Sequence, residues 1–467
     1  MRNWIRKTLV LALSPFLILP LAAQMTPPRP LVVRNASLVD GTGKPPQPNQ
    51  SIVIERGRIT KVGGTVQTPA DAEVIDAQGR VVVPALMDAL VSLNRTPAGN
   101  LLRAEAGLEQ QLASLRAMLT AGVMTARLVQ GPVADQRYLA RWSQDNLLAA
   151  PRMFGSGPTF TAPNGHPTEQ YNLRAPRERD TREVKDADEA RTKAREVAHT
   201  GADAFEISYD SGGPKGSFPR LTKESLEILV REAHGHDLKV FCSVSKNAEA
   251  LEAVAAGCDT LEAMAEESLS DELLAAMNGK DVAFLPALNS QGDFLGRLDR
   301  DALKRYLKQD IVEQSLSPVL KKSLEDAGGT LAYLRKLMAI KPELRKTLEQ
   351  QRQRAFENVR RARQAGLRIV AGTGAGDTLI FPGAAVHREL ELLAEAGLTP
   401  VEAICAATRN VALSLAQDED LGTIEPGKWG DLVILDAKSL GQISATQRIR
   451  QVIRAGRVVN RDHPELY

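Results

Sequence analysis

Between residues 84 and 420, short apolar runs alternate with helix-period stretches, and this alternation constrains the fold more than any other property of the chain. GVMTARLV, DAFEISY, LKVFCSV, DTLEAM, VAFLPAL and LRIVAGTG read as strands, while SLEILVREAHG and NAEALEAVAAGC carry apolar residues at helical spacing. Strands separated by helices of this length pair in parallel through crossover connections, and about eight such units close a (β/α)8 TIM barrel. Residues 31–83 and 421–462 follow another grammar. LVVRNASLVDGTG, SIVIERGRITKVGG, EVIDAQGRVVVP and LGTIEPGKWGDLVILD each read as strand, turn, strand. The spacing predicts a small β-sandwich domain assembled from both ends of the chain, flanking an α/β barrel over 84–420. Residues 297–364 interrupt the barrel rhythm with a helical insertion holding 17 Lys and Arg against 9 Asp and Glu. This insertion reads either as solvated helix faces or as a cover over the barrel mouth that favours anions.

The first 23 residues carry Arg2, Arg6 and Lys7, then an apolar run broken by Pro15 and Pro20, then Ala22-Ala23. That is the layout of a secretory signal peptide, so the mature protein is expected to be exported, periplasmic or secreted, without stable membrane insertion. Cleavage removes those three positive charges from the formal +2 and leaves −1, which favours no nucleic-acid partner. Cys242, Cys258 and Cys405 are odd in number and lie in apolar surroundings, so three packed free thiols are expected.

The stretch VVVPALMDALVSLNR over 81–95, the GADAFEIS strand, LKVFCSVSKNAEALEAVAAGCDTLEAM, AGTGAG with the helices after it, and the closing LGTIEPGKWGDLVILD together resemble the amidohydrolase superfamily. The nearest likeness is to its imidazolonepropionase-like and Xaa-Pro dipeptidase-like groups, and it spans almost the whole mature chain. The resemblance implies a metal-dependent hydrolase barrel with one or two divalent ions at the C-terminal ends of its strands. It further implies that this chain departs from the pattern wherever a ligand is expected. The His-x-His of the first strand reads Leu90 and Ser92, and the bridging lysine reads Glu206. The next two histidines read Ser243 and Ala263, and the catalytic aspartate reads Gly374. Leucine, alanine and glycine offer no donor, and useful affinity needs three or four converging ligands. No metal or other cofactor is expected, and no glycine-rich phosphate loop follows any strand.

Two outcomes are open at the mouth of such a barrel: collapse of apolar side chains into the gap, or an emptied pocket. The pocket reading places Glu206 at the base, Tyr209, Asp210, Ser243 and Ser245 around it, and His166 of Asn164-Gly165-His166 at the rim. A lone inward carboxylate is costly unless paired or protonated. Glu206 is therefore expected either to pair with Arg127 or to anchor a ligand. Asp377 is expected to lie too far along the chain to replace the aspartate missing at Gly374. The function expected is a pseudoenzyme that binds a small molecule or assembles with itself or a related amidohydrolase. The alternative is an active C–N hydrolase with a non-standard site around Glu206.

Overall fold

The computed structural model describes residues 29–464 apart from 96, 98–106, 172–173, 214–215 and 326–329. The expected signal peptide lies outside these residues. The barrel runs through Leu86–Val91, Val123–Leu128, Arg152–Gly155 with Thr159–Thr161, Ala204–Ser208, Lys239–Ser243, Thr260–Glu262 and Ala283–Leu285. Its last strand, at 369–375, closes the ring by parallel bridges from Ile369 to Phe284 and from Ala375 to Val91. Asp88 locks that closure. Its carboxylate accepts the Thr373 hydroxyl at 2.6 Å and the Thr373 and Leu90 amides at 3.0 and 3.1 Å.

Strand alternation sorts the core into layers. Met87, Ala89, Phe241, Leu285 and Val370 fill the barrel interior, whereas Leu128, Ile207, Cys242 and Leu261 belong to the layer between strands and helices. The helices are delimited locally. Asp186 and Thr222 cap Ala187–Thr200 and Lys223–His234 through their side chains. Asn247–Ala256 ends at Gly257, whose φ of +101° suits glycine. Among the described residues no helix is long and apolar enough to cross a membrane.

Strands from both ends of the chain form the expected small β domain, its eight strands joined in one hydrogen-bonded network. Val81–Pro84 stitches the ends together, running parallel to Leu31–Leu38 and antiparallel to Leu432–Leu435.

The insertion lies over the barrel mouth. Its long helix Pro342–Gln364 is pinned by buried Asn358, which accepts the Leu269 amide at 2.9 Å and donates to the Met264 and Glu267 carbonyls. A second anchor is Asp293, where Arg388 makes two hydrogen bonds and Arg297 and Arg352 approach at 3.3 and 3.7 Å. Three guanidinium groups hold this buried carboxyl below its usual pKa despite desolvation. Asp293→Asn takes the carboxylate from buried Arg297, while Arg388 and Arg352 keep Glu391 and Glu395. It should cost about 3 kcal/mol in chemical denaturation, and limited proteolysis should then cut within 300–340 first.

Candidate functional site

Arg127 stands at the centre of the barrel mouth, fully buried on Val123–Leu128. Its Nε donates to the Ala89 carbonyl at 2.6 Å and its Nη1 to Ser156 Oγ at 3.1 Å. Nη1 also meets Glu206 Oε2 at 2.6 Å, Nη2 meets Glu262 Oε1, and the guanidinium lies 3.7 Å over the Phe241 ring. The expected pairing of Glu206 with Arg127 is therefore present, and a second carboxylate joins it. Ser243 Oγ donates towards both acids, at 3.3 Å to Glu206 and 3.5 Å to Glu262. Register sets Ser243 beside Glu262 and between it and Ser208, while Glu206 pairs with Phe241 two residues earlier on the same inward face. Burial, and then the neighbouring Glu206, push the Glu262 carboxyl well above its ordinary value. A protonated Glu262 leaves one negative charge against one guanidinium, so the floor is close to neutral.

Above this floor the mouth is open space rather than packed side chains: a cavity of about 450 Å³. Leu90, Ser92, Glu206, Ser243, Ala263 and Gly374, the six positions where the resemblance places metal ligands or the aspartate, all line it. Asp210, Ser245 and His166 line it as well, as expected. Asp210 accepts from Ser245 Oγ and from the Gly212 amide, and His166 pairs with Glu169 at 2.9 Å. Tyr209 does not belong to the cavity. One residue past inward-facing Ser208, it points outward, is buried against the helices, and donates to Glu252 at 2.5 Å.

Two further sequence expectations are corrected. Asp377 reaches the cavity wall after all. Gly374 and Gly376, at φ +72° and +102°, fold the chain back instead of extending it. A Cβ on Gly376 would strike the Ser92 carbonyl at 2.1 Å, so only glycine fits there. Asp377 Oδ2 then lies 3.8 Å from where a Gly374 Cβ would stand, with its carboxylate bound to Arg95 at 2.6 Å. Cys242 and Cys258 are likewise not free thiols but a disulfide joining the Lys239–Ser243 strand to the turn after the Asn247–Ala256 helix, and only Cys405 remains free. The expectation of three free thiols fails because Cys242 faces out of the barrel, towards the point where the Asn247–Ala256 helix ends beside Cys258.

Glu262, Thr159, Ser208 and Arg95 complete the site and were not singled out from the sequence. Glu262 had a readable signal, since a second acid in an apolar barrel strand needs the same kind of partner as Glu206. The hydroxyls carried none.

The donor set does not suit a divalent ion. Both floor carboxylates are held by Arg127, His166 is turned to Glu169, and no group of three His, Cys, Asp or Glu among the described residues is arranged to hold a metal. What the arrangement offers is a polar floor of hydroxyls and paired charges. Over it, Leu334, Leu337, Met338, Leu344 and Leu348 of the insertion form an apolar roof. The insertion's Lys304, Lys336 and Lys346 are exposed, whereas its Arg297 is buried against Asp293.

Comparison with known proteins gives this geometry a lineage. The chain is 27% identical to the imidazolonepropionase of Myxococcus xanthus over 465 residues, an alignment covering 93% of this chain and 98% of that protein. A Xaa-Pro dipeptidase crystallised with methionine in its active site superposes with a TM-score of 0.72 at 23% identity, over 92% of this chain and 99% of the other. Aspergillus niger ochratoxinase superposes equally well at 19% identity, over 92% and 95%. At such identities the structural likeness speaks for the fold. Residues 81–459 match the amidohydrolase family model, and the chain belongs to the amidohydrolase family.

Proposed function

We propose that this protein is an exported, non-catalytic amidohydrolase that acts by binding a small molecule in its barrel mouth. The observation carrying the reading is the Arg127–Glu206–Glu262 cluster beneath an open cavity of about 450 Å³. Carboxylates fully engaged by a buried guanidinium have little left to offer an ion or a water. The open cavity beside them keeps room for a ligand. Export draws support from the signal-like start and from the disulfide, which suits an oxidising compartment. Assembly with itself or with a related amidohydrolase fits the same reading.

The test is elemental analysis of the purified, signal-cleaved protein after incubation with zinc, iron and manganese and removal of loosely held ions. Metal far below one equivalent per chain is expected. Near-stoichiometric metal with hydrolysis of a dipeptide or cyclic amide would sink the proposal.

One observation favours a second reading, a metal-independent C–N hydrolase. Asp377 returns to the neighbourhood of the missing aspartate, and protonated Glu262 stands beside Ser243. Hydrolysis that persists in chelator and is lost in both Asp377→Asn and Glu206→Gln would establish it.

A further inference from the structure

The polar atoms of the cavity divide into those with partners and those without, and the division describes the missing occupant. Ser92 Oγ, Thr159 Oγ1 and Ser208 Oγ belong to residues at most 4% exposed, and none has a hydrogen-bond partner. The side-chain Oε1 of Gln130 and Nε of Arg95, on half-buried residues, likewise have no hydrogen-bond partner. All five residues line the cavity. A buried polar group left unpaired costs about 1–3 kcal/mol, so five around one space mark a place where something polar belongs. The amide oxygen of Gln130 needs a donor and Arg95 Nε needs an acceptor, while the hydroxyls serve as either.

The charged groups are arranged differently. Arg127 is bound by Glu206 and Glu262, Arg95 by Asp377, Asp210 by Ser245, and Glu266 by Gln351. Among the described residues Arg127, Arg95 and His166 each already have a carboxylate partner, and the acids on the wall outnumber the guanidinium groups, so a carboxylate would enter a repulsive field. A cation would meet only carboxylates already engaged. Opposite the hydroxyls, Leu337, Met338 and Leu344 present a surface that only an apolar group can use.

We propose that the cavity takes an uncharged amphipathic molecule. Its head carries both a hydrogen-bond donor and an acceptor, seated among Ser92, Thr159 and Ser208, and its ring or short alkyl end lies beneath the roof helices. This rests on the binding function proposed above and narrows it. A volume of about 450 Å³ suits a single drug-sized molecule.

The experiment is a matched series on the full mature chain, read by calorimetry and thermal shift at low and high salt. The probes are 4-butylbenzamide, 4-butylbenzoate and 4-butylbenzylamine, alike in shape and different in charge. The amide should bind at least tenfold more tightly than either ion, with a Kd that does not move with salt. The paired change Thr159→Val with Ser208→Ala should weaken it about tenfold or more, the loss expected for two hydrogen bonds. Leu337→Asn, on a half-buried helix face, should also weaken it and tests the roof should the floor variant fail to fold. Tightest binding by the benzoate or the benzylamine overturns the ligand class and leaves the binding function standing. Failure of all three to bind overturns this proposal, and the metal and turnover assays still judge the other independently.

Discussion

Replacing Arg127 with methionine is expected to cost about 3–5 kcal/mol of folding stability, the range for removing one partner of a buried ion pair. The side chain is fully buried and is the shared partner of Glu206 and Glu262, so its loss leaves both carboxyl groups without their cation in a low-dielectric interior. Urea denaturation of the variant measures the cost. The loss should depend on pH, with a definite sign. Arg127 is the charge that draws the raised Glu262 pKa downward, so without it that pKa climbs further from the unfolded value of 4.5. Between the unfolded and folded values the native state holds a proton that the unfolded chain has released, and stability falls as pH rises through that window. The variant should therefore show its extra penalty above about pH 8, where the wild-type Glu262 has released its proton and the variant's has not, and little extra near about pH 6. Adding Glu206→Gln and Glu262→Gln to Arg127→Met should recover most of the stability, because neutral amides no longer need the guanidinium. A triple variant as unstable as the single one would mean that Arg127 acts through its contacts with Ala89, Ser156 and Phe241 rather than through charge.

The second large effect concerns the disulfide. Cys242→Ser should lower stability by about 3 kcal/mol, as expected for a cross-link closing a loop of this size. The two cysteines are 16 residues apart and both are buried. They tie the strand bearing Ser243 to the turn before the strand bearing Glu262, so a loosened floor should accompany the loss of stability. Denaturation curves with and without reductant report the first, and hydrogen exchange at Ser243 and Glu262 reports the second. Intact mass before and after reduction and alkylation under denaturing conditions should count two cysteines that become reactive only on reduction. Three thiols alkylated without reductant would show that the bond does not form.

How much of this was legible depends on what each feature asks of the chain. Barrel strands announce themselves because an apolar run flanked by helix-period sequence has few other uses, and the terminal β segments share that clarity. Pairing of Glu206 with Arg127 was readable for a related reason, since two charges in apolar strands have to meet. Glu262 obeys the same logic, but it adjoins Ala263, the position where the family likeness asks for histidine, and the missing histidine drew the reading away from it. Asp377 was misplaced because distance along an extended strand was assumed where Gly374 and Gly376 reverse the chain. An odd number of cysteines is silent about which two face each other across a layer. Orphaned hydroxyls at Thr159 and Ser208 leave no trace in sequence, for serine and threonine in strands are common and their lack of partners exists only in three dimensions.

The insertion sets the tempo of whatever happens in the cavity. Its helices are fastened at Asn358 and Asp293, and their leucines lean over the opening. A ligand on the polar floor would lie against that layer, so loosening its fastenings should shorten the ligand's stay. Residence time in the barrel mouth would then depend on contacts far from the ligand as well as on the groups that touch it.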